Sequence, residues 1–231
     1  MSLTDEAIAR IRELVRSGRL PAGAKLPPEH ELAVELGMSR SPVREAVKAL
    51  SLAGVLDVRR GDGTYVTSLA PSLLLAGLGA AVELMRPDTL LELMEVRRLL
   101  EPGATALAAT RMSKADLAVV HGHLVAMHAA ADDVELLNLH DAAFHRAVAA
   151  ATGNEALTTV LDGISSSTLR ARMWRGTVDN DAAVLTLAQH TAIYQALDDN
   201  DPGAAHAAAL LHVVTSERWL RAHLAEAELT R

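Results

Sequence analysis

Between residues 26 and 66 the sequence LPPEHELAVELGMSRSPVREAVKALSLAGVLDVRRGDGTYV switches its apolar period from helical to alternating, which leaves this segment few ways to fold. Residues 29–36 place Leu32, Ala33 and Leu36 at helical spacing, and Gly37 supplies a permissive backbone for a sharp turn. Ser39 or Ser41 caps a second helix, Pro42 fits its first turn, and Val43, Ala46, Val47 and Leu50 fall at i, i+3, i+4 and i+7. That pattern buries one face and leaves Arg40, Ser41, Arg44 and Lys48 on the opposite face and at the N-terminal end. After Gly54, β-prone runs at 55–59 and 64–67 meet across Arg60-Gly61-Asp62-Gly63, a hairpin signal. Scattered arginines usually lie on a solvated surface. Here helix, glycine turn, capped basic helix and glycine-tipped basic hairpin follow one another in a short span, which predicts a winged helix-turn-helix docking its second helix in a major groove.

Arginines at such a helix start can bond guanine edges or pair with phosphate, and both uses stay open at this point. Serine hydroxyls and unpaired N-terminal amides suit phosphate oxygens. In the wing, Gly61 lets the backbone approach a groove wall, while Arg59 and Arg60 add positive charge.

The run LPPEHELAVELGMSRSPVREAVKALSLAGVL resembles the winged helix-turn-helix of the GntR family of bacterial transcription regulators, most of all in SRSPVREAVKAL. The resemblance implies that Ser39, Arg40, Ser41, Arg44 and Gly61 contact DNA. One position departs from the pattern: His30 stands where the family often has Arg, so a phosphate contact there would be weaker and pH-dependent.

With 231 residues, half of them hydrophobic and 22% charged, the chain is long enough for two globular domains. The absence of cysteine excludes a disulfide framework and a thiolate metal site, which fits a reducing cytoplasm. The first residues lack the charged start and apolar core of a signal peptide, and the apolar run 69–84 is too short and interrupted to span a bilayer. A cytoplasmic location without a membrane role is therefore expected. The net charge of −7 is unevenly divided: residues 1–70 carry 10 Lys+Arg against 9 Asp+Glu, the remainder 12 against 20. A nearly neutral DNA-binding part must rely on a few placed arginines and on two copies acting together, which argues for a homodimer.

Residues 4–17 read as an amphipathic helix with Thr4 as cap, Ala7, Ile8, Ile11, Leu14 and Val15 inward, and Gly18 as its end. Residues 68–72 form the hinge. Beyond it, helices are predicted over 72–85, 89–110, 113–130, 134–152, 155–175, 182–198 and 202–228, with breaks such as Pro87 and 176–181. The fold class is thus mainly α: a winged helix-turn-helix domain over 1–70, then an antiparallel helical bundle over 71–231. With few aromatics, that bundle must be packed mainly by Leu, Ala, Val and Met.

Asp141 and His145 lie four apart and so share a helix face, while a turn at DDNDPG could bring His190 beside His212. Three imidazoles and a carboxylate suit Zn²⁺, the ion expected here, or Ni²⁺, Mn²⁺ or Fe²⁺, with positions left open for water or an anion. Pairs at this spacing also arise by chance. His121, His123, His128, His140, His206 and His223 are assigned to the surface or to helix packing.

Residues 89–224 resemble the ligand-binding (FCD) domain of the FadR-like branch of the GntR family, through EVRRLLEP, NLHDAAFHRAVAAATGN, QHTAIYQALDDND and the region of His212. The resemblance implies Asp141, His145, His190 and His212 as metal ligands and Arg97 as the grip on a small organic acid. From the residues alone, Arg97 could equally pair with Glu95 or Glu101. Arg170 and Arg172 are left open between pocket and surface. These readings point to a regulator, a repressor by expectation, whose affinity for a palindromic operator is set by a carboxylate effector. The alternatives are a metal-dependent enzyme or a metal sensor fused to a DNA-binding domain; no further carboxylate is clearly placed as the general base an enzyme would need.

Overall fold

The structure is a computed structural model that describes residues 2–84, 89–179 and 181–229, and only the backbone of residues 83, 166, 167, 170 and 225–229. The chain divides into two compact units, Met1–Gly77 and Leu78–Arg231.

In the first unit, α1 (Leu3–Arg16) is capped by Ser2 rather than Thr4: the Asp5 amide donates to Ser2 Oγ at 3.1 Å and the Ser2 amide donates to Asp5 Oδ2 at 2.9 Å. This reciprocal pair satisfies donors at both ends of the first turn, which a cap at Thr4 would forgo. Helices α2 (Glu29–Glu35) and α3 (Arg40–Leu52) follow, with Gly37 between them at φ +62°. Ala7, Ile11 and Leu14 of α1 share a core with Leu32, Ala33, Val43, Ala46, Val47 and Leu50. The wing pairs β1 (Leu56–Arg59) antiparallel with β2 (Gly63–Val66), in register from Leu56 opposite Val66 to Arg59 opposite Gly63. Its strands are one residue shorter than predicted at Val55 and Thr67. A short α4 (Pro71–Leu74) completes the unit.

The second unit is entirely helical among its described residues: α5 (Gly77–Glu83), α6 (Leu90–Arg111), α7 (Lys114–Ala129), α8 (Val134–Ala150), α9 (Glu155–Val178), α10 (Ala182–Asp198) and α11 (Pro202–Leu229). The single helix expected over 72–85 is instead broken into α4 and α5. The stretch is apolar on all sides and has no phase to fix one continuous helix, and Gly77 and Gly79 weaken it further. Met85 and Pro87 lie outside the described residues. Helix α9 also runs past its predicted end at 175, because Gly176 is a close approach and not a stop: a Cβ there would stand 2.8 Å from Val134 Cγ1. Asn180, in the break predicted over 176–181, lies outside the described residues.

Neighbouring helices joined by short turns pack in pairs, α7 with α8, α8 with α9, α10 with α11, and α6 lies along α11. Ala108, Ala109, Ala196, Ala205 and Ala209 let them approach closely around Val120, Met127, Ile193 and Leu197. The chain's one phenylalanine, Phe144, is fully buried and stands edge-on to His190 and His145, with ring centroids 4.8 and 5.6 Å away. The core thus holds the imidazoles of the site directly. Among the described residues, no helix is long and apolar enough to cross a membrane.

Candidate functional site

In the first unit, the periodicity that buries Val43, Ala46 and Val47 leaves Arg40, Ser41, Arg44 and Lys48 exposed on the other side of α3. Ser39 occupies the cap position in extended conformation but makes no side-chain capping bond, so its hydroxyl is not consumed by the helix. Arg44 Nε donates to Glu29 Oε2 at 2.9 Å, which ties α3 to α2, and Lys48 pairs with Glu45 at 2.9 Å. His30 is exposed, 3.6 Å from Glu31. Gly61 turns the wing at φ +78°, with nothing within 4 Å of where a Cβ would stand. The wing is braced by Tyr65, whose hydroxyl donates to Asp62 Oδ1 at 3.0 Å and whose ring lies 4.3 Å from the Arg59 guanidinium carbon. This brace holds Arg59 as a cation–π contact against the hairpin.

In the second unit the structure brings Asp141 and His145 of α8 together with His190 of α10 and His212 of α11, one ligand atom of each lying within 4.8 Å of the others. Outer contacts set the histidine tautomers. His190 Nδ1 donates to the Thr186 carbonyl at 2.8 Å and His212 Nδ1 donates to Gln189 Oε1 at 3.1 Å, so Nε2 of each ring is the atom left for the centre. His190 Nε2 lies 3.0 Å from Asp141 Oδ1 and 3.1 Å from His145 Nε2, while His212 Nε2 is buried with no hydrogen-bond partner among the described residues. A buried polar atom without a partner costs about 1–3 kcal/mol. A shared cation satisfies this atom, the paired Nε2 atoms and the carboxylate oxygen at once, and the donor set is one that divalent transition metals accept. The residues therefore fit such an ion.

The electrostatics agree. Burial pushes His145 down to about 4 against the opposing pull of Glu101 and Asp141, and burial together with the neighbouring histidines holds His212 well below its ordinary value. Neutral imidazoles are the form that ligates a metal. Burial would raise the Asp141 carboxyl, but Arg172 and the His190 contact outweigh it and hold the group well below the carboxylate range.

The cluster borders a cavity of about 220 Å³ whose lining includes Arg97, Asp141, Arg172, Arg175 and His212. Arg97 is fully buried and meets Glu101 with two nitrogens, at 2.5 and 3.2 Å, while Nη1 donates to Thr168 Oγ1 at 3.3 Å. It thus both pairs with Glu101 and lines the cavity. Arg172 donates to Asp141 Oδ2, and Arg175 to Asp179 Oδ2 at 3.3 Å. Arg175 and Gln189 are not singled out from sequence, Arg172 is left open there between pocket and surface, and Glu101 is named only as one of two possible partners of Arg97. Only the spacing of Arg97 and Glu101 hinted at a pair, and a turn of α9 decides which arginines face inward. The side chain of Arg170 lies outside the described residues.

A winged helix-turn-helix carrying an exposed basic helix, followed by a helical bundle with a buried polar centre, defines a class of DNA-binding regulators with an appended sensory domain. Residues 3–66 match the family described as bacterial regulatory proteins, gntR family, and residues 92–215 match the FCD domain. The chain is 33% identical over 218 residues to the HTH-type transcriptional regulator LutR of Bacillus subtilis, spanning 92% of this chain and 99% of that one. It is 29% identical to the galactonate operon transcriptional repressor of Escherichia coli, spanning 96% and 98% of the two chains. It is also 29% identical to the putative L-lactate dehydrogenase operon regulatory protein of the same organism, spanning 99% and 92%. Among solved structures, Streptococcus agalactiae GntR is similar with a TM-score of 0.68 and 31% identity, covering 93% of this chain and 99% of that one. The chain belongs to the GntR family of bacterial transcription regulators, in its FCD-containing form, and its partner is DNA. The relatives are regulators and not enzymes.

Proposed function

We propose that this regulator is a repressor, active as a homodimer on a palindromic operator, whose DNA affinity is set by a small carboxylate bound beside a divalent metal ion, Zn²⁺ foremost. Asp141, His145, His190 and His212 would hold the ion, which supplies a Lewis-acidic centre for an oxygen ligand, and Arg97 would help grip the acid. Ser39, Arg40, Ser41, Arg44 and Gly61 would contact the operator, with one recognition helix of each protomer in successive major grooves. The division into a DNA-binding part, residues 1–70, and a sensory part, residues 71–231, is read as falling just ahead of α4.

The observation that carries this reading is the charge balance around the cavity. Each of the three lining arginines already has a carboxylate partner, Arg97 with Glu101, Arg172 with Asp141 and Arg175 with Asp179. With Asp132, which also lines the cavity, the surroundings carry about one net negative charge, and a divalent ion added to them leaves an excess of about one positive charge. That excess is costly unless an anion follows it. A carboxylate is the natural companion, and the volume suits an acid of a few carbons. The names of two relatives refer to galactonate and L-lactate, both 2-hydroxycarboxylates able to offer a metal two oxygens.

The acid must bind the two DNA-affinity states unequally to act as a signal. The test is operator binding by fluorescence anisotropy, with metal-stripped and Zn²⁺-loaded protein, titrated with a panel of small hydroxy- and dicarboxylates. Release from the operator only when metal and one acid are both present supports the reading. Unchanged affinity across the panel overturns the effector, and release by metal alone makes the ion itself the signal.

A further inference from the structure

We propose that Arg172 is a positioning residue that confines Asp141 to one ligating oxygen. This inference rests on the reading that the His/Asp cluster holds a divalent ion, and goes beyond it by naming what sets the number of positions left for the acid. The two oxygens of Asp141 are divided between opposite neighbours. Oδ1 faces His190 Nε2 at 3.0 Å and His145 Nε2 at 3.9 Å, whereas Oδ2 accepts from Arg172 Nη1. The Asp141 side chain is 3% exposed and that of Arg172 11%, so water offers little substitute for this bond.

Arg172 is itself fixed. Its Nη2 donates to the Ser165 carbonyl at 3.2 Å and to Ser165 Oγ at 3.3 Å, which lays the side chain back along α9 and aims the other arm of the fork at α8. For Asp141 to turn both oxygens toward the histidines, a charge-assisted bond in a poorly hydrated place would have to break. One carboxylate oxygen and three imidazoles then leave more of an ion's coordination open than a chelating carboxylate would. Arg172 also lines the cavity, and its Nε is buried without a partner among the described residues, a donor that Asp141 and Ser165 do not use.

Charge and positioning predict opposite signs, which makes the inference decidable. A guanidinium beside a cation repels it, so on charge alone the loss of Arg172 would tighten metal binding. If Arg172 orients the ligand, its loss weakens binding because the freed carboxylate no longer holds its ligating rotamer, as for other groups that hold a metal ligand in place, and the Co²⁺ bands report whether the freed Oδ2 has joined the ion. The experiment uses the full-length, metal-stripped protein as wild type, R172Q, R172M and R172K. Zn²⁺ affinity is measured against a chromophoric chelator, and Co²⁺ absorption reports coordination.

R172Q and R172M are expected to weaken Zn²⁺ about tenfold or more and to change the Co²⁺ visible bands, with R172K between them and wild type. Zn²⁺ affinity equal to or tighter than wild type in these variants, with Co²⁺ bands unchanged, overturns the inference. Thermal melts of the metal-free proteins identify any variant that fails to fold, and R172K then decides by the same two measurements. If wild type binds neither Zn²⁺ nor Co²⁺, the metal reading itself falls, a result distinct from failure of the Arg172 role.

Discussion

Gln189 Oε1 accepts a hydrogen bond from His212 Nδ1 at 3.1 Å, and this contact decides which nitrogen of His212 faces the centre. The amide is itself held by Thr215, whose Oγ1 accepts from Gln189 Nε2 at 3.0 Å and donates to the Leu211 carbonyl at 2.7 Å. Replacing Gln189 by Leu keeps the volume but removes the acceptor, so the imidazole loses its preferred tautomer. Zn²⁺ affinity in Q189L is expected to fall about tenfold, while Q189E, which keeps an acceptor, binds at least as tightly as wild type. Competition with a chromophoric chelator measures both.

Metal that binds only the folded chain must raise its melting temperature. At a free Zn²⁺ concentration 100 times Kd the gain is about 2.7 kcal/mol. Chelator treatment is therefore expected to lower the Tm of wild type, and Zn²⁺ to restore it. H190A, which lacks a central ligand, should melt at one temperature with or without the ion. A Zn²⁺ response in H190A equal to that of wild type would place the ion elsewhere.

The pH dependence of the metal-free protein follows from burial of its histidines. His145 is held at about 4, and an unfolded histidine titrates near 6.5. Between these values the unfolded chain takes up a proton that the folded one does not, so stability is full above pH 6.5 and falls as pH drops toward 4. The loss from His145 is on the order of 3 kcal/mol, and His212, also pushed down by burial, adds to it. Asp141, held below the carboxylate range, adds its own loss only at still lower pH. Urea unfolding at pH 7.5, 6 and 5 checks the slope, which H145Q is expected to reduce.

Arg40 and Arg44 distinguish base reading from phosphate contact. R40A or R44A is expected to weaken operator binding by about 1–3 kcal/mol, and at a phosphate-contacting position the salt slope also drops by about one. Anisotropy at several salt concentrations separates the cases. The exposed Arg44–Glu29 pair contributes little to stability but fixes where Arg44 points. E29Q should therefore leave the Tm nearly unchanged, tighten non-specific binding by removing a negative charge, and reduce discrimination between operator and random DNA.

The helix-turn-helix was readable because apolar spacing alone sets which face of α3 is buried, and exposed Arg40 and Arg44 follow from Val43, Ala46 and Val47. His145 could be placed beside Asp141 for the same local reason. The approach of His190 and His212 needed the α10–α11 turn, which sequence marks by composition. What sequence does not carry is the rotation of α9 about its axis, so Arg172 could not be told from Arg170. The α4–α5 break was hidden because an evenly apolar stretch has no phase, and the Ser2 cap because Thr4 offers the same hydroxyl two residues later, although without an acid three residues on to reciprocate.

Gly54 sets the strictest local demand in the first unit. It ends the turn after α3 at φ +71°, and a Cβ there would stand 2.2 Å from the carbonyl oxygen of Leu73 in α4. The left-handed backbone costs a non-glycine residue about 1–2 kcal/mol, and the clash is with main chain, which cannot rotate away like a flexible side chain. Thr67 Oγ1 also donates to the Gly54 carbonyl at 2.8 Å, fixing the wing's last strand to the same turn. G54A is therefore expected to destabilise the first unit by more than about 2 kcal/mol and to displace α4 from the turn, whereas G61A, with open space around it, costs only the backbone term. Denaturation of both variants, followed by operator binding, tests the contrast: G54A should lose stability first and DNA affinity as a consequence, and G61A should lose DNA affinity while remaining folded.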